Sequence, residues 1–97
     1  MLDGECLLTV AGEERALRKW DFFHCPTGVA HAIVGAGQGP SLVLAVGART
    51  TTEVVYEADP VAQKHGSAVA VETTSPKEAY AGMSFPVVPY KEGWLPD

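Results

Sequence analysis

The stretch ECLLTVAGEERALR, residues 5–18, contains two short runs of strand-forming residues separated by Ala11 and Gly12. A two-residue connection that contains glycine is typical of a β-hairpin, because the tight turns of hairpins require backbone angles that glycine adopts easily. The sequence therefore predicts two antiparallel strands, over residues 5–10 and 13–18.

Four further segments have the composition of short strands. DFFHC (21–25) stops at a proline, and HAIV (31–34) stops at GAGQGP, whose glycines and proline indicate a loop. SLVLAVG (41–47) is apolar on both faces, which predicts a central strand, and TTEVVY (51–56) is the sixth strand. Six short strands with turn signals every eight to twelve residues predict an all-β barrel or sandwich.

The character of the chain changes after Tyr56. ADPVAQKHG and TTSPKEAYAG each place a capping residue, Asp59 or Ser75, before a proline and end at a glycine, which predicts two short helices. The remaining segment, 83–97, is interpreted as an extended arm that packs on the barrel or on a second chain, with a disordered tail as the alternative. Its anchors would be Phe85, Val87, Tyr90 and Trp94.

These features divide one domain into a barrel over residues 1–56 and a C-terminal part over 57–97 that combines the short helices with the arm. The chain has 97 residues, 46% of them hydrophobic and 20% charged, which is an ordinary globular composition. The net charge of −5, without a basic stripe, argues against nucleic acid and anionic membrane surfaces as partners.

The sequence has no apolar run long enough for a transmembrane helix and no signal-peptide pattern at its start. Two cysteines, Cys6 and Cys25, are too few to staple a secreted mini-protein. We therefore expect free thiols rather than a disulfide, and a cytoplasmic location.

His31 is the foremost candidate for chemistry because it follows a Pro-x-Gly turn and opens a strand, where it could aim into the barrel mouth. A histidine there could bind a metal or act as an acid or base, and the alternative is a structural barrel histidine. Strand alternation would point Phe23 and Cys25 inward and His24 outward, away from His31. His65, at the end of the first helix, is expected to be structural or solvated.

Cys25 could be a nucleophile paired with His31. A reactive thiol needs a helix N-terminus or nearby cations, whereas Cys25 is predicted within a strand among aromatic residues. The sequence therefore favours an unreactive thiol at this position.

The segment WDFFHCPTGVAHAIVG, residues 20–35, resembles the second conserved motif of the cupin superfamily. That motif runs glycine, five residues, proline, one residue, glycine, two residues, histidine, three residues, asparagine. The proline, the glycine after it and the histidine of the motif are matched by Pro26, Gly28 and His31. Asp21 matches the aspartate that commonly follows the first glycine of the motif. Trp20 and Gly35 stand where glycine and asparagine are usual, and Gly4 matches the glycine that closes the first motif. The resemblance covers residues 2–56.

The resemblance implies a small β-barrel or jelly roll. It also implies a metal site that combines two histidines and a glutamate of the first motif with His31. The other ligands would lie upstream of Gly4, where this chain has three residues. We therefore expect a barrel that is incomplete at its N-terminus, either by truncation or by a late start. No cofactor is expected in this chain, although a divalent transition metal would fit a longer form.

Three functions follow from the resemblance. The favoured one is binding of a small organic molecule inside the barrel by Phe23, Cys25, His31 and Ile33, together with alternate residues of 41–47. The others are a metal-dependent oxygenase, isomerase or epimerase, and an oligomerisation module. A homodimer is expected, because the strand over 5–10 or a neighbour would have an open edge that N-terminal strands or the C-terminal arm of a partner would cover.

Overall fold

The computed structural model describes residues 1–48 and 54–93. In these ranges the chain forms a three-stranded, open antiparallel sheet of order β2-β1-β3. The strands are β1 (Glu5–Val10), β2 (Glu13–Arg18) and β3 (His31–Ala36). A closed barrel is therefore not confirmed, and the fold that the structure establishes is a small, strand-based domain with two short helices.

The predicted hairpin is confirmed with the predicted bounds. β1 and β2 pair from Glu5 opposite Arg18 to Val10 opposite Glu13. The two turn residues, Ala11 and Gly12, have φ of 48° and 78°, and this pair of positive angles is typical of the turn that matches the twist of a two-residue hairpin. Local turn chemistry thus sets the register of the sheet.

β3 pairs with the other side of β1, from His31 opposite Val10 to Ala36 opposite Glu5. The ladder continues beyond the strand, where the Ala11 N–H donates to the Ala30 carbonyl at 3.1 Å. β1 is therefore the central strand. The expected open edge lies not on the strand over 5–10 but on its neighbours, since the sheet edges are β2 and β3.

Two predicted strands do not form. Residues 21–25 have irregular backbone, and 41–47 contains a single isolated bridge, between Leu42 and Asp3. Leu44 and Val46 are exposed, so this segment is not the central strand that its apolar composition predicted. Neither segment pairs with the free edge of β2 or of β3, so strand-like composition alone did not place them in the sheet. Half of the sixth predicted strand, 51–53, lies outside the described residues, and 54–56 contains only an isolated bridge between Tyr56 and Thr73.

The first four residues are held between two loops. The Leu2 N–H donates to the Leu42 carbonyl and the Trp20 N–H donates to the Met1 carbonyl, both at 2.8 Å. Gly4 lies so close to the chain that an added Cβ would be 2.5 Å from the Pro40 carbonyl oxygen. This close approach joins the start of the chain to the loop that follows β3.

Both predicted helices are confirmed as single short turns, α1 (Pro60–Gln63) and α2 (Pro76–Ala79). The Asp59 side chain accepts a hydrogen bond from the Val61 N–H, and the Ser75 side chain accepts one from the Glu78 N–H, as N-caps do. In the described ranges, neither helix has the length or the apolar character to cross a membrane.

Lys64 and His65, at the end of α1, contact the Glu14 carboxylate on β2. Glu14 Oε1 lies 2.8 Å from His65 Nε2 and 3.0 Å from Lys64 Nζ. The hydrogen bond from His65, followed by that from Lys64, holds the pKa of Glu14 below its ordinary value. His65 therefore has the structural role that its position in the sequence predicted.

The core of the described residues is small. Its buried hydrophobic side chains are Cys6, Leu8 and Ala62, and Thr9 is also fully buried. The C-terminal arm makes one aromatic cluster, in which the ring of Phe85 packs edge-on against Tyr80 and Tyr80 packs against Tyr56. Of the other predicted anchors, Val87 is 98% exposed and Trp94 lies outside the described residues.

Candidate functional site

The turn before β3 brings Cys25 and His31 together. The Val29 N–H donates to the Pro26 carbonyl at 3.4 Å, and Gly28 has a φ of 83°, which a residue with a side chain rarely adopts. The chain reverses over this turn, and Cys25 Sγ then lies 3.0 Å from His31 Nδ1. Two residues separated by six positions thus form a direct thiol–imidazole contact.

The carbonyl of Val29 fixes the orientation of this pair. It lies 3.1 Å from His31 Nδ1 and 3.4 Å from Cys25 Sγ. A carbonyl oxygen only accepts hydrogen bonds, so its contact with Nδ1 favours the tautomer that carries the proton there, whereas donation from the thiol to Nδ1 requires the other tautomer. In the first tautomer the lone pair is on Nε2, which makes no hydrogen bond to the described residues.

The other predicted site residues lie near this pair along the chain. Phe23 is half-buried, and Ile33 follows His31 on the same face of β3 with 44% of its surface exposed. His24 is exposed, as expected. His31, however, is itself exposed at the start of β3, so the expectation that it points into an enclosed barrel is not met in the described part of the chain.

The prediction for Cys25 also needs correction. It is not within a strand, because residues 21–25 are irregular, and its thiol is half-buried beside an imidazole. The contact with His31 is present, and the expectation of an unreactive thiol stays a prediction. The strand over 21–25 was wrongly predicted because these residues have no strand partner.

The residues of the site do not fit a metal ion by themselves. In residues 1–48 and 54–93 no three histidine, cysteine, aspartate or glutamate side chains are grouped so that they could hold one. A catalytic zinc site has three protein ligands, and Cys25 and His31 supply two. A metal-dependent reaction therefore has no support in the geometry of the described residues.

Two open depressions lie elsewhere on the molecule. One follows residues 69–73 and α2, and the other lies between the hairpin turn and the start of α1. Neither is lined by Phe23, Cys25, His31 or Ile33. We place the candidate site at the thiol–imidazole pair because the pair combines polar groups of defined geometry, whereas neither depression is lined by a histidine or a cysteine.

Three positions that the sequence matched to glycines of the cupin motifs share a backbone conformation. Gly4, Trp20 and Gly28 have φ of 74°, 73° and 83°. A positive φ is favoured by glycine and is unusual for a bulky residue such as tryptophan. The backbone at Trp20 thus has the geometry of a glycine position, although the residue there is not glycine.

This strain gives a prediction for Trp20→Gly. We expect the free energy of unfolding to rise by about 1 kcal/mol, because the left-handed conformation costs a residue with a Cβ roughly 1–2 kcal/mol and a weak cation–π contact opposes the gain. That contact places Lys19 Nζ 5.6 Å from the Trp20 ring, and the ring is 64% exposed, so little burial is lost. Urea denaturation measures the change.

The matched control is Phe22→Gly, which removes an 88% exposed aromatic side chain two positions away. Phe22 is not among the residues with a positive φ, so no strain is relieved and the flexible glycine should lower stability. A Trp20→Gly variant that is no more stable than the parent protein would show that position 20 carries no strain.

Comparison of the chain with protein-family models, with curated proteins and with solved structures gives no match. The interpretation of the site therefore rests on the contacts among Cys25, Val29 and His31.

Proposed function

We propose that this chain binds a small organic molecule at the Cys25–His31 pair, in a site that is half of a cupin-like barrel or jelly roll. The observation that carries the proposal is the 3.0 Å contact between Cys25 Sγ and His31 Nδ1, with Val29 fixing the imidazole. Binding sites for small molecules combine a few oriented polar groups with apolar surface. The Cys25–His31 pair supplies the oriented polar groups.

The apolar surface would come from Phe23 and Ile33, both of which retain access to solvent. The Nε2 lone pair of His31 would accept a hydrogen bond from a hydroxyl group of the ligand. The geometry therefore favours a molecule that has one hydroxyl donor beside an apolar body.

The cupin-like interpretation has its support in the backbone. The positive φ at Gly4, Trp20 and Gly28 occurs at the motif positions where the family has glycine. The turn over residues 26–29 also delivers His31 to the first position of a strand, where the family places its second-motif histidine. The metal-dependent alternative gains no such support, because the described residues provide no third ligand.

Phenol is a suitable probe for this proposal, since it has one hydroxyl group on an apolar ring. In NMR titrations of the isotope-labelled chain we expect phenol to shift the resonances of Phe23, Cys25, His31 and Ile33. His31→Ala should abolish these shifts. The control His24→Ala removes an exposed histidine from the same segment and should leave them unchanged.

Shifts that are absent, that lie in the depression along residues 69–73, or that persist in His31→Ala would contradict the proposal. Elemental analysis after washing with a chelator tests the metal-dependent alternative. We expect no stoichiometric transition metal, and a value near one ion per chain would favour that alternative.

A further inference from the structure

The chain exposes more surface than a folded monomer of its size. Its accessible area is 7765 Å² for a mass of 10.3 kDa, whereas a monomer of that mass exposes about 5,400 Å². Its radius of gyration is 14.4 Å, against about 12.5 Å for a compact domain of this length. The excess is roughly 2,400 Å² per chain, or about 4,800 Å² for two copies, which is near the upper end of the total that permanent homodimers bury. The area is thus sufficient for a dimer, and the chemistry of the sheet edges indicates which surface would form it.

The two edges of the sheet differ in their chemistry. β2 carries charges along most of its length, at Glu13, Glu14, Arg15 and Arg18. Charged residues on an edge strand hinder the addition of another strand. β3 has the sequence HAIVGA, with no carboxylate, lysine, arginine or proline, so it presents an edge that is open to pairing.

The ladder shows which groups of β3 are free. Because the Ala11 N–H donates to the Ala30 carbonyl, the alternation of an antiparallel ladder directs the backbone groups of Ala32, Val34 and Ala36 toward β1. Those of His31, Ile33 and Gly35 point away from β1. No described residue pairs with this outer side of β3.

We propose that a second copy of this chain pairs antiparallel with β3 about a two-fold axis at Ile33, so that two three-stranded sheets join into one. The outward-facing backbone groups of His31, Ile33 and Gly35 would then bond with the same groups of the partner. A two-fold axis at Ile33 uses all of these groups, and the dimer closes without leaving a β3 edge exposed.

When β3 pairs antiparallel with β3 of a second copy, the side chains that face each other fit in size. Ile33, 44% exposed, would face Ile33 of the partner subunit, and the small Ala32 would face the larger Val34 of the partner subunit. His31 would face Gly35 of the partner subunit. Nothing lies within 4 Å of the position that a Cβ on Gly35 would occupy, which leaves room for an imidazole.

This arrangement changes the interpretation of the site at His31. The partner strand would cover one side of the Cys25–His31 pair, so each pair would lie beside the interface rather than on an isolated sheet edge. The inference about the dimer stands on the β3 edge and does not depend on the identity of any ligand.

Hydrogen exchange on the unmodified protein is the first test. We expect the amides of Ile33 and Gly35 to be protected, and their protection to fall as the protein is diluted. The outward-facing amides of β2, at Glu14 and Ala16, serve as the internal control and should exchange rapidly at all concentrations. Rapid exchange at Ile33 and Gly35 in concentrated samples would overturn the proposal.

Two proline variants provide the second test. Ile33→Pro removes an N–H that points away from β1, so it spares the internal ladder and blocks the partner. Ala16→Pro makes the same change on the outer side of β2. Sedimentation equilibrium should show a dimer for the parent protein and for Ala16→Pro, and loss of the dimer for Ile33→Pro.

A monomeric parent protein, or a dimeric Ile33→Pro variant, would refute the pairing at β3. If Ile33→Pro does not fold, Ile33→Lys decides the question, because it places two like charges opposite each other at the axis. A folded, monomeric Ile33→Lys variant supports the proposal and a dimeric one overturns it. Exchange in the unmodified protein remains decisive if neither variant folds.

Discussion

Gly4→Ala should lower the free energy of unfolding by about 2–4 kcal/mol, a large share of the stability of a small domain. Two costs combine at this position. The φ of 74° is unfavourable for a residue with a Cβ, and that Cβ would lie 2.5 Å from the Pro40 carbonyl oxygen and 2.8 Å from the Ser41 Cα. The obstructing atoms belong to the backbone, so the loop after β3 would have to move.

Gly12→Ala separates these two costs. Gly12 has nearly the same φ, 78°, but nothing lies within 4 Å of its added Cβ. We expect Gly12→Ala to lower the free energy of unfolding by about 1–2 kcal/mol, from the backbone conformation alone. Urea denaturation of both variants at one protein concentration gives the difference. Equal losses would show that the contact between Gly4 and the loop at Pro40 has no energetic weight.

The parts of the fold that the sequence predicted are those decided by near neighbours. The hairpin depends on Ala11 and Gly12, and both helices depend on a capping side chain followed by proline. Each signal acts over a few residues, so it does not require knowledge of the rest of the chain. For the same reason β1 and β2 were predicted with the bounds that the structure shows.

The errors concern segments whose structure depends on distant partners. Residues 21–25 and 41–47 have strand-like composition, yet they do not pair with the free edges of β2 and β3. Composition reports that a segment fits a sheet and does not report whether a neighbour is free. The cupin-like barrel required both segments to pair, so it stays a proposal.

The candidate site was predicted in part. His31 and Cys25 were both assigned to the site, whereas a reactive Cys25–His31 pair was disfavoured, because Cys25 was assigned to a strand among aromatic residues. The signal that could have found the contact is the turn over residues 26–29, since a Pro-x-Gly turn brings together the residues on its two sides. The carbonyl of Val29 carries no sequence signal, and its role is seen only in the structure.

Leu8→Ala should destabilise the protein by about 2–5 kcal/mol, as deletion of a fully buried leucine does in other cores. Leu8 is 0% exposed at the centre of β1, where it lies between Arg15 on β2 and Ile33 on β3. The buried hydrophobic set among the described residues is small, so few neighbours can move to fill the cavity. Urea denaturation at a fixed protein concentration measures the loss.

Thr9→Val is the matched control, because Thr9 adjoins Leu8 and is also 0% exposed. Its Oγ1 is buried and has no hydrogen-bond partner among the described residues, so replacing the hydroxyl with a methyl group removes a desolvation cost of about 1–3 kcal/mol. We expect Thr9→Val to be as stable as the parent protein or more stable. A loss at Thr9→Val similar to that at Leu8→Ala would mean that β1 tolerates no change of side chain on either face. The loss at Leu8→Ala could then not be assigned to the removed apolar side chain of Leu8, whose register partner on β3 is Ile33, the residue at the proposed dimer axis.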